Sequence, residues 1–295
     1  MIGESSALGC ALCWAVSSTL TKSLSGKIEP LSLNFIRCLG AAILLWAIIP
    51  FYPGVYKLSQ IPQEAILYLS LSALIGMSVG DTIYIRGLRL IDVTLAFPIA
   101  QSVTPLLTVV AAVLFLGETI TKSFVVGTVL ILAGVYMIAV PGGASLLSLS
   151  VSLEKRGMGI GLILIAALFW MVSIVFLKFG LQETEAILAN GVRLPVSALA
   201  LMPLVLFQKS FPEGSKDFKV RLVILGAITG VLAFGLGGIL FLKAIQVTGA
   251  GKTMVLTSCG PLLGLPLSVF LLKEKVTKRI ISGTVLVVLG IAFIF

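Results

Sequence analysis

Residues 102–134, SVTPLLTVVAAVLFLGETITKSFVVGTVLILAG, align without a gap with residues 258–290, SCGPLLGLPLSVFLLKEKVTKRIISGTVLVVLG. The offset of 156 positions sets Pro105 opposite Pro261, Glu118 opposite Glu274, Thr121 opposite Thr277, Lys122 opposite Lys278, Gly127 opposite Gly283 and Gly134 opposite Gly290. Carried back toward the start of the chain, the same offset pairs Trp14 with Trp170, Ser17 with Ser173, Lys22 with Lys178, Asn34 with Asn190 and Arg37 with Arg193. Chance does not hold a rare Trp, an Arg inside an apolar run and a Pro in one register over half a chain. The repeat sets the units expected: residues 1–140, a linker at 141–156, and residues 157–295.

Each copy is mostly apolar. Of 295 residues, 58% are hydrophobic and 11% charged, with a mean hydropathy of +1.16. A soluble domain is about 25% charged. So few charges cannot coat a water-facing surface, and one core cannot hide so much apolar side chain. That excludes a soluble enzyme, a disordered chain and a nucleic-acid binder. A membrane-crossing helix needs about 20 mostly apolar residues. Ten runs qualify, at about 3–22, 31–50, 65–85, 93–116, 123–140, 158–178, 186–207, 220–242, 250–272 and 278–295. Five precede the linker PGGASLLSLSVSLEKR, flexible by its Gly and Ser content, and five follow it. The fold class expected is an all-α membrane protein: ten transmembrane helices forming two inverted five-helix repeats.

Inversion follows from parity. Five spans is an odd number, so the second copy enters the membrane upside down, related to the first by an axis in the membrane plane. Two such bundles can exchange conformations and open a shared cavity on alternate sides. The net charge of +9 sits in short gaps between runs, not on one face, so it reports orientation rather than affinity for nucleic acid. Gaps after odd-numbered runs carry 14 Lys and Arg; those after even-numbered runs carry 5, namely Lys57, Lys122, Lys178, Lys243 and Lys252. Cytoplasmic loops are the basic ones. The expectation is a multi-pass protein of the cell membrane with both termini outside. The first residues hold Glu4 and no Lys or Arg, so no cleavable signal peptide is expected.

Histidine is absent, which excludes His-ligated haem, HExxH zinc sites and Ser–His or Cys–His nucleophile pairs. Cys10, Cys13, Cys38 and Cys259 lie inside apolar runs, where a thiol is usually a small buried hydrophobe. Cys10 and Cys13 form a C-x-x-C with no second pair to complete a metal site. No phosphate-binding G-x-x-x-x-G-K-[ST] occurs. No cofactor and no metal are expected. Energy for transport would come from an ion gradient, a coupling proton included, or from the substrate's own gradient.

Two halves, each with Asn-x-x-Arg in its second helix (Asn34 and Arg37, Asn190 and Arg193), carry one part of a known pattern. Pro105, Gly117, Glu118, Gly127 and Gly134 across helices four and five carry the other. Together they resemble the EamA-type branch of the drug/metabolite transporter superfamily, over nearly the whole chain. The resemblance implies that residues 1–140 and 157–295 are EamA-like repeats. It also implies a secondary carrier rather than an enzyme, whose central cavity is lined mainly by helices one, three, four, six, eight and nine. Relatives move amino acids, amines, nucleosides and other small metabolites, often outward. The implied partners are a small-molecule substrate and the lipid bilayer. The second half departs from the pattern where Lys273 replaces the Gly before Glu274, which concerns a loop rather than substrate choice. Oligomeric state is not readable from the sequence, and a monomer fits.

Asp81 is the most informative single residue. It lies in SVGDTIYIRGL, five residues before Arg86, or roughly 7–8 Å from the helix end. A carboxylate there costs about 2.5 kcal/mol or more unless it meets a cavity or a partner. Arg37, seven residues past Pro30, sits at comparable depth on the neighbouring helix. An Arg37–Asp81 pair is therefore expected, either as a gate or proton-coupling site or as a static structural ion pair. Arg193 has no such partner, because Gly237 stands at the position equivalent to Asp81. It is left to bind backbone carbonyls, snorkel outward or meet a substrate carboxylate. Asn34 and Asn190 fit hydrogen bonds between helices.

Trp14 and Trp170 fall mid-span rather than at the interface where Trp concentrates. Ser17 and Ser173 lie one turn away on the same face. The symmetric placement favours a substrate pocket over plain core or lipid-facing packing. Tyr84 and Gln101 in the first half and Thr257 and Ser258 in the second add polar positions near mid-span. Pro98, Pro105, Pro261 and Pro266 kink helices four and nine. With Arg37 and Asp81, Pro105 and Pro261 are the expected gating elements. Glu118 and Glu274 fit loop pairing or helix capping.

The leading function is a permease or exporter moving a small metabolite such as an amino acid or amine by alternating access. An intramembrane lipid-modifying enzyme needs clustered acids or a His base, and Asp81 stands alone. A channel needs rings of charge or a filter-like loop, and neither is seen. A non-transporting membrane scaffold has no need of inverted repeats.

Overall fold

The computed structural model describes residues 1–91, 93–139, 153–208, 216–260, 262–263 and 278–294. Among them every regular element is helical. Helix α1 spans Ile2–Ser25. Helix α2, Pro30–Ile48, starts on a proline, whose missing N–H is harmless in a first turn. Helix α3, Gln63–Ser72, runs through a π-helical segment, Ala73–Gly80, into α4, Asp81–Leu90. Helices α5, Val93–Leu116, and α6, Lys122–Ala139, complete the first half. Gly117 ends α5 with φ of 65°, a conformation glycine adopts without penalty.

The second half repeats the order. Helices α7, Leu153–Gly180, and α8, Ala186–Gln208, come first. Helix α9, Lys216–Gly230, passes through a second π-helical segment, Val231–Leu236, into α10, Gly237–Thr248. Gly249, with φ of 86°, turns the chain into α11, Ala250–Thr257. Helix α12 is Lys278–Ile294. Pro261, Pro266, Glu274, Lys273 and the linker 141–152 lie outside the described residues.

Among the described residues, six rods are long and apolar enough to cross a bilayer: Pro30–Phe51, Gln63–Leu90, Ile99–Leu116, Glu154–Gly180, Ala186–Phe207 and Val220–Thr248. Lys122–Met137 and Ile281–Ile294 are apolar but shorter. Helix α1 is not among the six, being diluted by Glu4, Lys22 and many Ser, Thr and Gly. Ten spans are thus not reached among the described residues.

The molecule is turned inside out relative to a soluble protein. Ser17, Asn34, Arg37, Thr108, Asn190, Arg193 and Thr229 are buried, while Ile43, Leu114, Phe115, Val129, Leu199, Phe207 and Ile224 are exposed. Those outward residues belong to a surrounding hydrocarbon phase. This is a multi-pass membrane protein.

Equivalent helices from the two halves meet antiparallel. Gly127 packs on Gly290 and Gly134 on Gly283, backbone against backbone, where α6 crosses α12. One number rises as the other falls, and each contact is the other's repeat partner. Such self-complementarity belongs to a two-fold axis. Helices α2 and α8 repeat the arrangement: Trp46 Nε1 donates to Gly191 O at 2.9 Å, and Cys38 Sγ lies 3.5 Å from Ser197 Oγ. On α5 and α11, Gln101 Nε2 donates to the carbonyl of its own repeat partner, Thr257, at 3.1 Å. Other contacts between the halves are swapped: α1 lies along α9–α10, and α7 along α3–α4 and α5.

Candidate functional site: a central cavity between the halves

The two π-helical segments occupy equivalent positions in the repeat. A π-turn displaces the hydrogen-bond ladder and frees carbonyls that then need donors. The paired asparagines supply them. Asn34 Nδ2 donates to Met77 O at 2.6 Å, and Asn190 Nδ2 donates to Phe234 O at 2.7 Å. Opposite them stand the paired tryptophans and serines. Trp14 Nε1 donates to Ala233 O at 3.2 Å, and Ser17 Oγ to Thr229 O at 2.8 Å. Ser173 Oγ donates to Ser72 O at 2.8 Å, with Ser72 Oγ 3.0 Å away. Trp170 lies against Gly80, beside Asp81. Each half thus grips the unwound helix of the other.

Between these walls lies a cavity of about 140 Å³. Trp14, Ser17, Asp81, Tyr84, Gln101, Trp170, Ser173, Arg193 and Arg37 all line it. Its walls come from α1, α2, the α3–α4 and α9–α10 rods, α5, α7, α8 and α11. The Trp14 ring packs on Phe241 with centroids 5.0 Å apart, and Tyr84 on Trp170 at 5.1 Å. Arg37 Nη1 stands 3.8 Å from Asp81 Oδ1, and its guanidinium carbon lies 4.4 Å over the Phe234 ring. Arg193 is 7% exposed, and its Nε makes no hydrogen bond.

Three candidates stand elsewhere. The Thr257 side chain turns to Met254 O at 2.9 Å and is not part of the wall. Pro105 sits in α5 beside the wall residue Thr104. Pro261 lies outside the described residues.

Comparison with known proteins gives the lineage. Residues 1–140 and 157–295 both match the EamA-like transporter family. This chain belongs to that family. Its EamA-like sequence is 25% identical over 291 residues to an uncharacterized transporter of Archaeoglobus fulgidus, covering 96% of this chain and 94% of the relative. It is also 25% identical over 283 residues to the uncharacterized transporter YvbV of Bacillus subtilis, covering 95% and 87%. A crystal structure with 21% identity shares the fold at a TM-score of 0.74, covering 99% of this chain and 95% of that one. Family and relatives alike point to a membrane transporter.

The EamA resemblance implied a cavity lined by helices one, three, four, six, eight and nine. The geometry adds helices two and seven, through Arg37, Asn190 and Arg193. Sequence reasoning missed Phe97, Phe234, Phe241 and Met77 in the wall. No signal in an apolar run distinguishes a cavity-facing Phe from a lipid-facing one. Only the shared offset of 156 could have flagged Phe234, as the counterpart of Ser78 beside Asn34.

Proposed function

We propose that this protein is a secondary carrier that moves a small polar metabolite across the cell membrane by alternating access. Amino acids and amines are the compounds the family resemblance suggests. In this reading ten helices cross the bilayer as two inverted five-helix repeats, residues 1–140 and 157–295, joined by the linker 141–156. Both termini lie outside. The coupling ion is a proton, taken and released at Asp81 beside Arg37. The working unit is one chain.

One observation carries the reading: both halves contribute the same Trp–Ser pair to one cavity, each gripping the unwound helix of the opposite half. Contacts repeated on either side of a two-fold axis have similar energies. Loosening one set while tightening its counterpart therefore carries little net cost, as an alternating gate requires. The π-helical segments are the natural hinges, because their wider ladder leaves the Met77, Ala233 and Phe234 carbonyls accepting from side chains. The cavity holds about what a benzene-sized ligand fills, so the cargo is small.

The test is counterflow in proteoliposomes. Saturable exchange is expected for a small metabolite, with Trp14→Ala and Trp170→Ala each lowering the rate roughly tenfold or more while leaving the protein folded. No saturable exchange across a broad metabolite panel, with the protein shown to be folded, removes the carrier reading.

A further inference from the structure

Three charged side chains line the cavity among the described residues: Arg37, Arg193 and Asp81. Two positive charges face one negative charge. Arg37 has Asp81 at 3.8 Å and the Phe234 face at 4.4 Å, although its own Nε and Nη1 make no hydrogen bond. Arg193 has no such ion pair among the described residues, and its Nε has no hydrogen-bond partner although the residue is 93% buried, the complement of its 7% exposure. One turn earlier, the Asn190 Oδ1 atom is also buried without a partner. A guanidinium stays charged at any physiological pH. Left uncompensated in a low-dielectric site, it is expensive.

We propose that the cargo of this site is a small organic carboxylate with a net charge of −1, received by Arg193. The proposal deepens the carrier reading and rests on it for transport, though not for binding. Charge balance selects the class. An amine would add a second unpaired positive charge to the cavity, and a zwitterion would leave the first one standing. A monoanion brings the sum to zero. Geometry selects the group. The planar guanidinium fork matches a carboxylate with two parallel N–H···O bonds. The Trp14, Trp170 and Tyr84 rings are left for the carbon frame, and Ser17 for a hydroxyl or amino substituent. Of the compounds suggested above, acidic amino acids fit and amines do not.

The test uses the purified full chain in nanodiscs and two matched probe sets. The three-carbon set is lactate, alanine and 1-amino-2-propanol. The aromatic set is mandelate, phenylglycine and 2-amino-1-phenylethanol. Within each set the frame is constant and the charge runs from −1 through zero to +1. Thermal stabilisation is expected from a carboxylate at concentrations roughly tenfold or more below its zwitterion, the worth of about one charge-assisted bond. The amine should give none. Arg193→Gln should abolish the response, and Arg193→Lys should restore part of it. Asp81→Asn, which removes the competing anion, should tighten carboxylate binding; it serves even if Arg193→Gln fails to fold. Equal or better stabilisation by zwitterion or amine, an unaltered response in Arg193→Gln, or no stabilisation by either carboxylate overturns the proposal. Counterflow of the same probes separates the two readings. A bound carboxylate that never exchanges leaves the anion site and removes the carrier. Exchange of zwitterions or amines without carboxylates leaves the carrier and removes the anion site.

Discussion

Asp81 shares Arg37 with the ring of Phe234, so the ion pair is loose, at 3.8 Å, rather than a bidentate fork. A loose pair on neighbouring helices can open and close without large cost, as a coupling site must. Replacing Asp81 with Asn leaves Arg37 buried without its counter-charge, which costs about 3–5 kcal/mol in a fully buried pair. The expected outcome is a drop in thermal stability together with counterflow that no longer varies with pH. A variant whose pH profile matches the wild type would end the coupling role and leave a structural pair. The pair was legible in the sequence, because depth in a membrane helix follows from residue counting. The Phe234 contact was not, since it depends on how α10 is rotated.

A second residue-scale prediction lies outside the spans. Glu185 precedes α8 and accepts hydrogen bonds from Lys57 and Tyr52, across the boundary between the halves. Lys57, then Tyr52, hold its carboxyl below the ordinary glutamate value, while the carboxylate pushes the Tyr52 hydroxyl and the Lys57 ammonium up. A depressed carboxyl stabilises the fold above the ordinary value of about 4.3 and loses that contribution as pH falls through the lowered one. Both partners are well exposed, so the effect is small. Melting curves of wild type and Glu185→Gln should differ by about 2 °C or less, constantly above about pH 5. The difference should vanish on strong acidification. A difference that grows as pH falls has the wrong sign for this cluster.

At the scale of elements, glycine does two different jobs. Where α6 crosses α12, a Cβ at Gly134 would stand 2.5 Å from Gly283 O and 2.9 Å from Val287 N. Both are backbone atoms that cannot swing away. At Gly161, in α7, nothing lies within 4 Å. Gly134→Ala should therefore cost about 1–3 kcal/mol by forcing the helices apart. Gly161→Ala should be neutral or stabilise by up to about 1 kcal/mol through helix propensity. Thermal denaturation in one detergent checks both, and similar melting for the two variants would mean the crossing yields easily. The repeat made Gly127 and Gly134 visible, but not that each would meet the other's partner. That relation follows from the antiparallel crossing and not from either helix alone.

Glu118 shows the same boundary between pattern and geometry. Its expected role as a loop charge or cap is realised on another repeat: Oε1 accepts from Ala250 N at 2.6 Å and Oε2 from Gly251 N at 3.0 Å. A carboxylate on the first two N–H groups of α11 meets the positive end of its dipole. The π-helical segments were not legible at all. Ala73–Gly80 and Val231–Leu236 contain small and apolar residues that also suit an α-helix, and only the asparagines facing them betray the difference.

At the scale of the whole molecule, the contacts sort the gaps between helices into two groups. Lys57 meets Glu185, Glu118 caps α11, and Lys252 meets Glu4 near the first residue. All of these belong to gaps after even-numbered runs or to the chain start. Arg89 meets Glu29 and the carbonyls of Ser25 and Ile28, which belong to gaps after odd-numbered runs. The two sets of gaps therefore close on themselves, as alternate loops at opposite ends of a bundle must. Parity and the repeat made that arrangement readable, since both survive errors of several residues at helix ends. Which end faces the cytoplasm rests on the positive-inside rule alone, and labelling decides it. Ser59 lies with the even gaps and Ser23 with the odd, and both are exposed. Native thiols give little background, because Cys10, Cys38 and Cys259 are buried and Cys13 is half-buried. In intact cells, a membrane-impermeant maleimide should label Ser59→Cys promptly and Ser23→Cys only after permeabilisation. The opposite pattern would turn the molecule over, placing both termini inside while leaving the two-fold relation and the cavity as they are.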